Sequence, residues 1–188
     1  MLRTPLCDLL GIEVPIAQAP IGQASSPALV AAVSGAGGSV DRGFLPTSAA
    51  QVNSVFADGT GVYAATGGQG GRAIAFTGGG AIRWQRVFDG DAVAITRLNG
   101  VTYLGGHFDR ACLTLANGAH GACSGGSVSR VKLAAISGTG GLTAWAPQAN
   151  GVIGVRALVA DPAARTLAAG GDFTTVGGQS RKRFATFR

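Results

Sequence analysis

The sequence predicts a mainly β chain: about three propeller-type blades of short antiparallel strands over residues 39–188, preceded by a short strand–helix segment over residues 1–38. Three observations carry this. Glycine makes up 32 of 188 residues, about 17% against a usual ~7%. The glycines stand singly or in clusters between short apolar runs with no collagen period, as tight turns between short strands require. Finally, sequence landmarks recur, Phe44 to Trp84 spanning the roughly 40 residues of one blade and Trp84 to Trp145 spanning 61.

In chain order, residues 14–22 read as a short buried strand followed by a turn. Ser26 supplies an N-cap and Pro27 a first helical residue, so residues 28–33 form a small apolar helix that the glycines of residues 35–38 stop. Residues 14–40 carry no charge, but Pro15, Pro20 and Pro27 interrupt the run short of the ~20 apolar residues a membrane span needs. Asp8 and Glu13 stand where a signal peptide would place its basic end and apolar core, so no export signal is expected.

The stretch TPLCDLLGIEVPIAQAPIGQASSPALVAAVSGAGG resembles the N-terminus of the nitronate monooxygenase family, flavin-dependent (β/α)₈ barrels, with Gln-Ala-Pro-Ile-Gly as its most specific part. The resemblance implies FMN contacts at Ala19, Pro20, Ile21 and Gly22. It ends at Gly38. The family's second strand and phosphate-binding loop have no counterpart, and neither His107 nor His120 stands in the context of its catalytic His. A barrel takes on the order of 200 residues or more.

From residue 39 onward the landmarks repeat. An aromatic before a turn appears at Phe44-Leu-Pro46, Trp84 and Trp145-Ala-Pro147. A strand ending in a Gly pair appears as Val62-Tyr-Ala-Ala-Thr-Gly-Gly68, Val101-Thr-Tyr-Leu-Gly-Gly106 and Thr166-Leu-Ala-Ala-Gly-Gly171. A basic residue opens an apolar strand at Arg72-Ala-Ile-Ala-Phe76, Lys132-Leu-Ala-Ala-Ile136 and Arg183-Phe-Ala-Thr-Phe187. Further strands are expected over residues 52–56, 92–98 and 155–159, each running into a turn signal at Asp58-Gly59, Asn99-Gly100 or Asp161-Pro162. The pattern resembles the delta-60-type repeats of secreted bacterial β-propeller proteins, best copied over residues 168–181, which implies a blade scaffold that is usually non-enzymatic.

The second unit is longer than its sisters: 26 residues separate Gly106 from Lys132, against 12 from Gly171 to Arg183. The extra length carries Cys112 and Cys123 around Asn117-Gly118, which can turn the chain back. A Cys112–Cys123 disulfide is expected, two free thiols being the alternative; Cys7 is left over as a buried thiol. A disulfide fits an oxidising compartment, whereas the first 38 residues look unexported, so the two parts disagree about localisation.

Chemistry is sparse. Two Cys and His120 lack the count and spacing of a zinc site. Asp89 and Asp91 flank Gly90 in a turn, and Asp109 and Asp172, which follow Gly pairs, read as caps of their own turns rather than calcium ligands. Residues 67–71 lack the Lys-Ser/Thr of a phosphate loop. Trp84 and Trp145 read as packing residues. The net charge of +6 is spread thinly apart from Arg181-Lys182-Arg183, a solvated turn, so no nucleic-acid partner is expected.

The expected function is a non-catalytic repeat module with a binding or structural role. Its ligand or protein partner is unknown, no cofactor is needed, and self-association could occur through an open blade face. The alternatives are a truncated FMN-dependent oxidoreductase of the nitronate monooxygenase kind, or a chimeric fragment with no selected function.

Overall fold

The computed structural model describes residues 41–188, and Phe44–Arg188 forms one compact unit. The strand–helix segment expected over residues 1–38, with Ala19, Pro20, Ile21 and Gly22, lies outside the described residues. The unit is mainly β. Strands β1 (Val52–Asp58), β2 (Gly61–Thr66), β3 (Arg72–Phe76) and β4 (Ile82–Val87) form a first antiparallel sheet, ordered as in sequence. Strands β5 (Ala92–Leu98) and β6 (Val101–Gly106) begin a second sheet, and then β7 (Arg110–Cys112) pairs with β8 (Ser127–Ser129) as a separate hairpin. The second sheet resumes with β9 (Leu133–Ile136). A third sheet repeats this plan with β10 (Val155–Asp161), β11 (Thr166–Gly171), a hairpin of β12 (Thr175–Val176) and β13 (Gln179–Ser180), and β14 (Phe184–Phe187).

The turn chemistry explains the local geometry. Leu98 pairs with Val101 across a two-residue loop in which Asn99 and Gly100 both have positive φ, 50° and 80°. That is the primed turn whose twist matches a hairpin, and Asn-Gly tolerates it best.

The three larger sheets share one register. Val52, Ala92 and Val155 open their first strands opposite Thr66, Gly106 and Gly171. In each sheet the register then slips before the next pair: Ser54–Ala65, Ala94–Gly105 and Ala157–Gly170. The third strands meet those positions with Ala73, Leu133 and Phe184. Such a slip bends its strand and sharpens its twist, so the same bend recurs at the same place in all three sheets.

Strand side chains alternate between faces, and in the second sheet both faces are used. Ile95, Leu104 and Ala134 pack with Tyr63, Ala65, Ala73 and Ala75 of the first sheet. Ala94, Leu98 and Leu133 pack on the opposite face with Val155, Leu158, Leu167 and Ala185 of the third. Strand β5 accordingly lies against both β1 and β10. Close approach depends on Gly105, where a Cβ would stand 2.4 Å from Val155 Cγ1.

An aromatic completes each contact. Trp84 packs at a tilt against Tyr63, centroids 6.1 Å apart, and donates from Nε1 to Gly138 O (3.2 Å) in the turn after β9. Trp145 meets Tyr103 edge-on at 5.1 Å and Phe187, at the end of β14, at 5.2 Å. Phe44 meets Phe76, at the end of β3, at 6.2 Å. The expectation that these tryptophans pack rather than present a platform agrees with this arrangement. One detail differs: Trp84 lies within β4 rather than before a turn, because the first sheet continues its fourth strand through Val87.

Among the described residues, the third sheet has no such cover on its far face. Val159 and Phe184 are 66% and 61% exposed, while their counterparts Thr96 and Leu133 are 5% and 0% exposed. Among the described residues, no helix is long and apolar enough to cross a membrane.

Candidate functional site

Antiparallel order gathers the loops after β2, β6 and β11, together with the links between sheets, at one end of the unit. The loop after β2 is short. The other two carry the small hairpins, which hang in the same way: Arg130 N donates to Asp109 O and Lys132 N to Phe108 O, as Arg181 N does to Thr174 O and Arg183 N to Phe173 O, each at 2.8 Å. The long excursion between Gly106 and Lys132 is therefore the third unit's hairpin with an extended tip.

Each hairpin is tied to the link before it. Asp89 Oδ1 accepts from the N–H groups of Asp109 and Arg110, both at 2.8 Å, and Asn150 Oδ1 accepts from those of Thr174 and Thr175 at 2.7 and 2.9 Å. Asp89 and Asn150 hold the same position, and a neutral amide suffices there. Asp89 is thus a cap for the neighbouring hairpin.

The extended tip is closed by the Cys112–Cys123 disulfide, with Cα atoms 5.1 Å apart. The chain reverses in a 3₁₀ turn at Ala119–Gly121, where His120 takes φ 55°, closed by Gly118 N donating to Ala122 O at 2.7 Å. The reversal comes later than Asn117-Gly118 because the Asn117 side chain is used elsewhere, donating across to Gln69 O. The tip thereby rests on the loop after β2.

Tip, loop and link enclose a polar cleft of about 370 Å³, lined by Gly68, Gln69, Gly70, Asp89, Gly90, Asp91, His107 and His120. Asp91 Oδ1 accepts from Gly68 N at 3.1 Å. The lining offers carboxylates, imidazoles and backbone groups, a set that binds hydrogen-bond donors, and no Ser, Cys or Thr nucleophile is among it. Among the described residues, no group of three or more His, Cys, Asp or Glu is placed to hold a metal ion.

Asp172 and Asp109 also act structurally, but not as caps of their own turns. Asp172 accepts from Ile153 N (3.1 Å) and Gly154 N (2.6 Å), in the link that precedes its own sheet. The Ile153 N–H does most to hold its carboxyl below the usual range, partial desolvation opposes it, and the Gly154 N–H adds to the lowering. Asp109 receives Lys132 Nζ at 2.8 Å. Lys132 itself is buried, with φ 64°, and lies so close to Gly154 that a Cβ there would stand 2.4 Å from Lys132 Cγ. Asp172, which follows the Gly pair that ends β11, thus faces the N–H groups of the preceding link instead of its own loop.

At the opposite end, Asp58 meets Arg97, which lies 4.4 Å over the Tyr63 ring. Burial alone would raise the Asp58 carboxyl, but hydrogen bonds from the Thr60 hydroxyl and N–H, together with Arg97, outweigh it and leave the group lowered. The basic run Arg181-Lys182-Arg183 is exposed and leads into β14, as expected of a solvated turn. The FMN contacts implied at Ala19, Pro20, Ile21 and Gly22 lie outside the described residues. No family model, curated protein or solved structure matches the chain.

Proposed function

We propose that this chain is a non-catalytic, β-propeller-like repeat module with a binding or structural role, its three larger sheets serving as blades. The observation that carries the reading is the common register. Three successive sheets place the same register slip after the first pair of their first two strands, and their first strands lie side by side. Blades built about a common axis have this organisation. The charged groups that could do chemistry are already engaged: Asp89, Asp109 and Asp172 hold backbone or Lys132. The cleft between the first two sheets is the place for a polar ligand, and the disulfide that sets its wall fits an oxidising compartment.

Limited proteolysis read by intact mass tests the reading. A resistant core beginning near residue 40 and running through Arg188 supports it, whereas rapid degradation throughout refutes the three sheets as a self-sufficient unit. The flavin alternative has a separate test. FMN added to the protein and carried through gel filtration should elute free of it; co-elution would favour an oxidoreductase.

A further inference from the structure

We infer that Asn99-Gly100, the turn between β5 and β6, is a site of spontaneous covalent modification. Asn99 deamidates there to aspartyl and isoaspartyl products, a reaction the fold permits at this turn and blocks at the other Asn-Gly pairs, Asn117-Gly118 and Asn150-Gly151.

The reaction needs no catalyst. The amide nitrogen of the glycine attacks Cγ of the asparagine, and the new N–Cγ bond closes a succinimide ring. The side-chain nitrogen leaves as ammonia, taking up the proton that the amide gives. Water then opens the ring at either carbonyl, to an aspartyl residue or to an isoaspartyl one whose main chain runs through the former side chain. A following glycine favours closure, since it has no Cβ in the way and its backbone turns freely. All three pairs have glycine after the asparagine and leucine or alanine before it, so their intrinsic reactivity is similar. The fold sets them apart.

At Asn150 the whole side-chain amide is held. Oδ1 accepts from Thr174 N (2.7 Å) and Thr175 N (2.9 Å), and Nδ2 donates to Thr174 Oγ1 (2.9 Å). The space beside Gly151 is filled: a Cβ there would stand 2.6 Å from Asp172 Oδ1. At Asn117 both reacting groups are engaged. Nδ2 donates to Gln69 O, and the attacking nitrogen, Gly118 N, donates to Ala122 O at 2.7 Å, inside a loop closed by Cys112–Cys123.

Asn99 and Gly100 are both exposed. Among the described residues, neither the Asn99 side chain nor Gly100 N has a hydrogen-bond partner, and nothing beyond the chain neighbours lies within 4 Å of where a Gly100 Cβ would stand. The one side chain that grips this turn is Arg97, whose Nη2 donates to Gly100 O at 3.0 Å in an exposed contact. The amide can therefore rotate toward Gly100 N without breaking anything buried.

The isoaspartyl product adds a carbon to the main chain of a two-residue loop, which then no longer matches the twist of the strands it joins. The hairpin so disturbed is central, since β5 lies against both β1 and β10. Either product also adds a negative charge beside Arg97, the partner of Asp58.

The test is a timed incubation of the full chain in neutral buffer, folded and in urea, followed by tryptic mapping with mass spectrometry. Cleavage at Arg97, Arg110, Arg130, Lys132 and Arg156 places the three pairs on separate peptides, residues 98–110, 111–130 and 133–156. In the folded protein the first should deamidate at least about tenfold faster than the others, the factor that one hydrogen bond broken before attack is worth. In urea the three rates should converge. An isoaspartyl carboxyl methyltransferase, used as a reagent, should label residues 98–110, and the isoaspartyl fraction isolated by ion exchange should unfold at a lower urea concentration than the parent. Equal rates in the folded protein, faster reaction at Asn117 or Asn150, or rates as unequal in urea as in the fold overturn the assignment. A product with the parent's urea midpoint overturns its effect on the hairpin.

Discussion

Gly105→Ala and Gly170→Ala add the same methyl group at the same repeat position, one under a covering sheet and one on an open face. At Gly105 the new Cβ would lie 2.4 Å from Val155 Cγ1, 2.9 Å from Val155 Cβ and 3.4 Å from Leu158 Cδ1. Carbon atoms settle at roughly 3.5–4.0 Å, and the β-branched valine cannot swing aside freely, so β10 itself must move. Overpacking of this kind costs about 1–3 kcal/mol, and the overlap with a Cβ points to the upper end. At Gly170 the nearest atom is Arg183 O at 3.8 Å, an ordinary contact. There the substitution should stabilise by roughly 0.4–1 kcal/mol, through the lower entropy of the unfolded chain. The two variants should therefore differ by about 3–4 kcal/mol, on the order of 10 °C in Tm for a unit of this size. Urea unfolding followed by tryptophan fluorescence reads the difference directly, since Trp84 and Trp145 sit at the two sheet contacts. Equal shifts in the two variants, or a Gly170→Ala as costly as Gly105→Ala, would refute the assignment of covered and open faces.

Reducing Cys112–Cys123 should lower stability by about 2–3 kcal/mol in the chain-entropy description and should raise hydrogen exchange in the tip and the loop after β2, leaving β5 and β6 protected; a uniform rise would contradict the local role. Trp145→Ala should cost about 2–4 kcal/mol by uncovering Tyr103 and Phe187, measured by the same urea titration. Asp172 and Asp58 have folded carboxyl groups lowered relative to the unfolded chain. Their stabilisation is complete above the unfolded carboxylate range and is lost as pH falls through it toward the lowered folded values. Acid unfolding midpoints should show Asp172→Asn less sensitive to pH than the parent chain between about pH 5 and 2; identical pH profiles would rule out a role for Asp172.

The strands were legible because short apolar runs between Asx and Gly turns have few other outcomes: the expected strands over residues 92–98, 101–106 and 72–76 coincide with β5, β6 and β3 through most of their length. The disulfide was legible from two cysteines flanking a turn-forming stretch. What pattern could not show was partnership across sequence distance. That Asp172 caps Ile153 and Gly154, or that Asp89 and Asn150 are the same cap, depends on which N–H groups a neighbouring link leaves unpaired. The correspondence of Arg130 with Arg181 was likewise hidden, because the tip of β7–β8 shifts the spacing until the hairpins are superposed by hydrogen bonding. The polar cleft went unread for the same reason. Its two histidines stand 13 residues apart in sequence and line one cleft only because the tip folds over.

The aromatic that covers each sheet is carried by the chain segment before that sheet: Phe44 on Phe76, Trp84 over the turn after β9, Trp145 on Phe187. The unit of hydrogen bonding and the unit of packing are thus out of phase, overlapping like roof tiles. A cut after β4 strips the second sheet of Trp84, and a cut that spares Trp84 leaves the first sheet short of its outermost strand. No division between the first two sheets yields two pieces that are both complete, so those two sheets should melt in one cooperative step, although each is locally a simple meander.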